Sequence, residues 1–297
     1  MNIVTDTVHF RSKQSIFKFV FAELSKKNES LRHLKCIPQG RYPIIMKLKD
    51  LLGILILNSL FINAINFSFH YTGADNLIEG TIKIIISGIV LFSLQSFFLL
   101  WLTKQFRETL FKSEIFNIRF LIQGILVTVM IWLLTQIWTR YVTNAPVEFP
   151  SQKRVQLYVV ILVFNTIPAA LIEELLFRHL PVTYGENKRL TAQQVTVLAV
   201  MVAIVFSISH ISAYMVRDHI PFEGLAQPLL GAFFYGLAYF MIYSITRNIY
   251  LVTFIHAFSN NPLYLIDSPF RGTFYFYTYI FVIIMWLVLR EVRKRRA

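Results

Sequence analysis

Charge is scarce in this chain, and acidic charge scarcest. Only 15% of the 297 residues are charged, with 16 Asp and Glu against 29 Lys and Arg. Soluble domains carry about 25%. With 56% hydrophobic residues and a mean hydropathy of +0.56, that scarcity excludes a soluble domain pair of the same length. Cysteine is nearly absent. The single Cys36 rules out an intrachain disulfide framework and a cysteine-ligated metal site, and reads as an ordinary thiol in a polar tail. Residues 1–46 lack a continuous apolar core, being interrupted by Arg11, Lys13 and Lys18, so no cleavable signal is expected there. The terminal run Glu-Val-Arg-Lys-Arg-Arg-Ala carries no lipidation motif. No internal repeat is visible, and no His-Glu-x-x-His helix is present.

What the chain does have is long apolar runs. Stretches near 51–70, 82–102, 118–138, 156–180, 194–216, 225–246, 249–267 and 272–290 each approach the ~20 residues a bilayer requires. They predict an all-α integral membrane protein, a bundle of about eight transmembrane helices. The sixth and seventh nearly touch at Arg247-Asn248. With an even number of spans both termini share one side. Of the Lys and Arg, only Lys83, Arg140, Lys153, Arg154, Arg217 and Arg271 then fall on the opposite side. That asymmetry predicts cytoplasmic N- and C-termini in a multi-pass cell-membrane protein. The net charge of +13 is a topology signal and an attraction to the lipid bilayer, with no nucleic-acid partner implied. Nothing in the sequence sets an oligomeric state.

Three regions follow. Residues 1–46 form a basic cytosolic N-terminal tail. There Ile16, Phe17, Val20, Phe21 and Leu24 recur at helical spacing, as in an interfacial amphipathic helix; a loosely ordered tail fits as well. Residues 47–150 hold the first three transmembrane helices, a scaffold or gate. Residues 151–297 form a catalytic-type transmembrane core with a short basic cytosolic C-terminus. Asn58, Asn63 and Asn66 in the first span, and Asn165 in the fourth, read as interhelical glue. The aromatic cluster at 274–279 reads as an interfacial belt. Pro168 is expected to kink the fourth span, and Asp218 and His219 to lie in a solvated outer loop.

Ionisable groups at membrane depth cost roughly 2.5–3.5 kcal/mol each on insertion scales. The fourth span nevertheless carries Glu173, Glu174 and Arg178. Glu174 and Arg178 are four apart and can pair on one face, acid before base. Glu173 is rotated about 100° away and stays free. The fifth span carries Phe206 and His210, the seventh His256 and Asn260, each pair again spaced i, i+4. At 1.5 Å per residue, Glu173, His210, His256 and Asn260 fall about 20, 26, 13 and 20 Å below the inner surface, so they can share one layer. Chemically the set suffices for peptide hydrolysis. Glu173 can take a proton from water, and His210 can orient that water. His256 and Asn260 can donate to an oxyanion, while Glu174 and Arg178 brace Glu173.

Glu173-Glu174-x-x-x-Arg178, Phe206-x-x-x-His210 and His256-x-x-x-Asn260 resemble, in order, the three motifs of the CAAX protease and bacteriocin-processing (CPBP) family of intramembrane proteases. The resemblance covers about residues 155–265. It implies an eight-helix membrane endopeptidase with Glu173 and His210 activating water and with His256 and Asn260 as the oxyanion hole. The chain departs from a common pattern at His179, where a glycine often follows the motif arginine. Family members have been described both as metalloproteases and as glutamate-dependent and metal-free. A metal-free glutamate–histidine site is favoured, because the two histidines sit 46 residues apart in sequence. A zinc ion would take Glu173, His210 and His256 as ligands. The expected partner is a membrane-embedded peptide or protein substrate, of the unlipidated leader or bacteriocin type sooner than a prenylated one. A catalytically idle binding protein of the same fold and a proton-coupled transporter are the alternatives.

Overall fold

A computed structural model describes residues 46–72, 80–104, 116–266, 279–281 and 284–285. The expected N-terminal amphipathic helix, Cys36, most of the predicted eighth span and the basic C-terminus lie outside the described residues. Among those residues the protein is all-α and has no sheet. Six helices among the described residues are long and apolar enough to cross a membrane. They are α1 (Leu48–Tyr71), α2 (Gly80–Leu102), α3 (Ile118–Thr143), α4 (Gln152–Asn187), α5 (Ala192–Arg217) and α6 (Ala226–Thr246). A shorter α7 (Ile249–Asn260) follows.

Several helices start where the sequence offers a cap. The Lys47 N–H donates to Asp50 Oδ2 at α1, and Asn117 Oδ1 accepts from Arg119 N at α3. Thr191 and Gln194 form a reciprocal capping box at α5. Asn144 and Arg247 adopt left-handed φ values of 53° and 57° and end α3 and α6. Asn248 then caps α7 through Leu251 N, and its Nδ2 donates to Phe120 O of α3. The turn between α6 and α7 is therefore two residues long and pinned to a third helix. Polar Glu186 at the end of α4 pairs with Arg247 across this turn.

The outward faces of α1, α2 and α3 stay apolar, with Leu60, Ile82, Phe97, Leu126 and Ile137 exposed. Such faces suit lipid rather than water. The buried core runs through Leu51, Leu55, Ile131, Leu176, Phe177, Leu180, Val202, Phe206, Tyr239 and Val252. α6 packs on α5, α7 packs on α3 and on α4, and α1 packs on α5. These contacts place α4, α5, α6 and α7 around one centre.

Three departures from the predicted spans bear on the site. First, α4 runs 36 residues and is not a uniform α-helix. Wider π-turns at Leu162–Thr166 and Leu175–His179 flank the segment Ile167–Glu174. Pro168 sits at the start of that segment, where a missing N–H is tolerated. Gly88 of α2 lies against the first bulge, where a Cβ would overlap the Phe164 carbonyl oxygen. Second, α7 is too short for the predicted span of 249–267. Its 12 residues reach about 18 Å against a hydrocarbon core of about 30 Å. Asn261 and Pro262 stop it. The non-helical stretch that follows survives because its backbone is bonded: Trp132 Nε1 donates to Leu263 O, Leu265 N to Gln136 Oε1, and Glu148 N to Leu265 O. Third, Tyr279 is no interfacial belt residue. It is buried, 2% exposed, with its hydroxyl 2.6 Å from Ser259 Oγ. In the loop after α5, Asp218 is paired to exposed Arg217, and His219 is exposed.

Candidate active site

Glu174 and Arg178 are both fully buried, and Arg178 Nε lies 3.3 Å from Glu174 Oε2. The pair forms across the second π-bulge of α4. The guanidinium is also enclosed by rings. Its Cζ sits 4.3 Å from the centroid of Phe206, 5.7 Å from Tyr239 and 6.0 Å from Phe177. A desolvated cation over an aromatic face gains about 2 kcal/mol. That helps to hold an arginine among apolar side chains, where lipid or water could not reach it.

Glu174 has a second partner. Its Oε1 accepts a hydrogen bond from His256 Nδ1 at 2.8 Å, joining α4 to α7. His256 is 1% exposed, stacked obliquely 4.9 Å from Tyr239 and edge-on to Phe206. Because Nδ1 donates to a carboxylate, the other ring nitrogen faces the site. His256 Nε2 lies 3.7 Å from Glu173 Oε2. Sequence reasoning had Glu174 bracing Glu173. The structure has Glu174 orienting His256, and His256 facing Glu173.

His210 sits in an interruption of α5. The regular helix ends at Ile208, Ser209 and His210 form a turn, and a wider π-segment runs from Ala213 to Arg217. The His210 backbone N–H donates to Ser207 O, three residues back. That leaves Phe206 O to side chains: it accepts from Ser209 Oγ at 2.6 Å and from His210 Nδ1 at 2.8 Å. A carbonyl oxygen can only accept, so Nδ1 carries the proton and Nε2 is left with its lone pair. The His210 ring also packs 4.6 Å from the Phe206 ring. The i, i+4 spacing therefore matters in two ways, through the carbonyl and through the ring.

Glu173, His210 and His256 come together from α4, α5 and α7, with one ligand atom from each inside a sphere where all lie within 4.8 Å of one another. Glu173 is the accessible member of the glutamate pair, its side chain 16% exposed, yet its Oε2 is buried without a hydrogen-bond partner. Two histidines tethered through Nδ1 to a carbonyl and a carboxylate, each presenting Nε2, form the outer support that metal-ligating histidines ordinarily have. The donor set therefore fits a divalent cation such as zinc. Asn260 stands apart. It is the last residue of α7 and exposed, and among the described residues no hydrogen bond or ion pair joins it to Glu173, Glu174, Arg178, His210 or His256.

One contributor was not singled out from the sequence. Tyr239, on α6, covers both Arg178 and His256, and nothing in its apolar span marks it. His179 is bonded at 2.6 Å to Tyr243 on α6, a tie between helices in place of the usual glycine.

Residues 155–261 match the family described as type II CAAX prenyl endopeptidase Rce1-like. No curated protein and no solved structure matches the chain. The matched stretch begins in α4, takes in α5 and α6, and ends one residue beyond α7, so it contains all seven motif residues. Over residues 155–261, then, this chain is similar to the type II, Rce1-like CAAX prenyl endopeptidases.

Proposed function

We propose that this protein is an intramembrane endopeptidase that hydrolyses a peptide bond in a membrane-delivered peptide or protein. The observation that supports this most is the meeting of Glu173, His210 and His256 from three different helices at one buried point. Glu173 Oε2 is buried without a hydrogen-bond partner and faces His256 Nε2 at 3.7 Å, a separation that a water or a cation would bridge.

In this reading Glu173 takes the proton from a water molecule, whose oxygen attacks the scissile carbonyl carbon. The lone pair at His210 Nε2 accepts the second water proton in a hydrogen bond and aims the oxygen. Glu174 holds His256 through Nδ1, so that Nε2, when it too carries a proton, donates to the oxyanion of the reacting carbonyl. Asn260, on the same face of α7, supplies a further donor there. The carbon–nitrogen bond then breaks, and the proton on Glu173 passes to the departing amine. Glu173, His210 and His256 would hold a divalent cation, which when bound supplies Lewis acidity toward water and the carbonyl oxygen. Burial removes competing water and strengthens each of these interactions.

The surroundings follow from the same proposal. Residues 1–46 serve as a cytosolic tail, α1 to α3 as scaffold or gate, and residues 151–297 as the reacting core. The distribution of Lys and Arg supports cytoplasmic N- and C-termini. The substrate is a peptide presented from the bilayer, as in peptide processing or bacteriocin self-immunity.

The test is cleavage by the purified protein in detergent. Wild type, Glu173→Ala and His210→Ala are compared with and without a chelator, against short hydrophobic-tailed peptides with and without a prenylated C-terminal cysteine. Cleavage that either substitution abolishes supports the proposal. Loss on chelation with recovery on zinc assigns the ion a role in the step. Full biological function retained by Glu173→Ala, with no cleavage by wild type, would replace hydrolysis with partner binding.

A further inference from the structure

α1 lies outside the matched segment and carries none of the motif residues, yet it reaches the interruption at His210. In an unbroken helix the Ser212 N–H would donate to Ile208 O, four residues back. Here the carboxamide of Asn63 bonds both groups. Its Oδ1 accepts from Ser212 N at 2.8 Å, and its Nδ2 donates to Ile208 O at 3.2 Å. Asn63 Nδ2 also donates to Ser59 O within α1. One side chain from a neighbouring helix thus takes the place of a backbone hydrogen bond, two residues either side of His210.

Neighbouring contacts on the same face keep α1 in register. Ser59 Oγ lies 3.4 Å from Val205 O, and Asn66 Nδ2 donates to Ser212 Oγ at 3.0 Å. These are interhelical ties of the ordinary kind. Asn63 differs because its two partners are main-chain groups flanking the interruption, which lipid cannot satisfy. If α5 closed into a regular helix, the His210 backbone N–H would return to Phe206 O. The His210 side chain would then compete with it for that acceptor.

We propose that Asn63 is a positioning residue for His210. It splices the interruption in α5 open, and through it keeps Nδ1 of His210 on Phe206 O and Nε2 directed to the site. It touches no reacting atom.

The experiment uses the full chain in detergent, with variants Asn63→Leu, Asn63→Asp and Asn66→Leu. Asn63→Leu removes both main-chain bonds at nearly constant volume. Asn63→Asp keeps the acceptor for Ser212 N and loses the donor to Ile208 O. Asn66→Leu loses only a side-chain tie between the same two helices. Three quantities are read: thermal midpoint, kcat and KM for peptide cleavage, and the ¹⁵N resonances of histidine, with His210 assigned by their loss in His210→Ala. Asn63→Leu is expected to lower kcat at least tenfold with KM within twofold, and to convert His210 from a single Nδ1–H tautomer to a mixture. Asn63→Asp should fall between it and wild type. Asn66→Leu should lower the thermal midpoint while leaving kcat and the tautomer unchanged.

The kinetic arm rests on the hydrolytic reading proposed above, and the tautomer arm does not. If wild type cleaves no peptide, the His210 resonance alone decides. If Asn63→Leu does not fold, Asn63→Asp decides. Unchanged kcat and an unchanged tautomer in a folded Asn63 variant would reduce Asn63 to an interhelical tie and overturn the proposal.

Discussion

Replacing Glu174 by Gln tests whether the buried pair at the site is held together as described. Glu174 and Arg178 are both at 0% exposure with 3.3 Å between Nε and Oε2. At an effective dielectric of about 20, that separation corresponds to about 5 kcal/mol of attraction. Glu174→Gln keeps an oxygen for His256 Nδ1 but leaves the guanidinium without a counter-charge. Breaking a buried pair from one side costs about 3–5 kcal/mol. Arg178→Met keeps an apolar body between Phe206 and Tyr239 while leaving the carboxylate unpaired, and should cost a similar amount. Replacing both partners removes both stranded charges, so the double variant should be no worse than either single one. A double-mutant cycle, read from equilibrium unfolding in mixed detergent micelles, is therefore expected to give a coupling of about 3 kcal/mol or more. The exposed pair Arg217–Asp218 supplies the control, since such pairs couple by less than about 1 kcal/mol. Additive effects of Glu174→Gln and Arg178→Met, within about 0.5 kcal/mol, would refute the ion pair as the device that holds this end of α4.

Two other consequences can be checked with the same material. A Cβ at Gly124 of α3 would stand 2.9 Å from Leu251 N and 3.0 Å from Tyr250 C, both main-chain atoms of α7. Gly124→Ala should therefore cost about 1–3 kcal/mol despite its better helix propensity, and should lower kcat by displacing His256 with α7; an unchanged midpoint and rate would mean the two helices are not in close contact. Zinc titration of the chelator-treated protein is expected to show one site per chain, weakened at least about tenfold by Glu173→Gln or His210→Ala and unaffected by Asn260→Ala. Affinity retained in the Glu173→Gln and His210→Ala variants would place the ion elsewhere.

What could be read from the sequence was whatever depends on one helix at a time. The 3.6-residue period puts Glu174 beside Arg178 and Phe206 beside His210, and both pairs are in contact. Ionisable residues inside apolar runs marked the three helices that converge. The same arithmetic missed where those helices end and what they do to one another. Hydropathy counts residues and ignores hydrogen bonds, so 249–267 looked like one span, although Asn261-Pro262 ends α7 after Asn260. Each bulge in α4 ends two residues before a proline, Pro168 or Pro181, whose missing N–H leaves a carbonyl to be accommodated; the prolines signal a break in the ladder but not the wider turn that answers it. The bond from His256 to Glu174 spans 82 residues of sequence. It had no signature beyond the presence of both groups.

Asn63 shows where the limit lies. Its residue type was legible as a membrane-buried amide that must bond something, and interhelical glue was the economical reading. Which groups it bonds depends on the interruption in α5, and that interruption is visible only once Ser209 and His210 are seen to leave the helical ladder. The side chains that carry the chemistry stand out because lipid rejects them. The groups that aim those side chains are main-chain atoms at Phe206, Ile208 and Ser212, which every sequence possesses and none advertises. A membrane interior enforces this division. It makes an unbonded main-chain group about as costly as a misplaced polar side chain, so each helix interruption at an active centre needs a donor and an acceptor brought from elsewhere. In this protein α1 brings them, which gives a helix outside the matched segment a direct mechanical hold on His210.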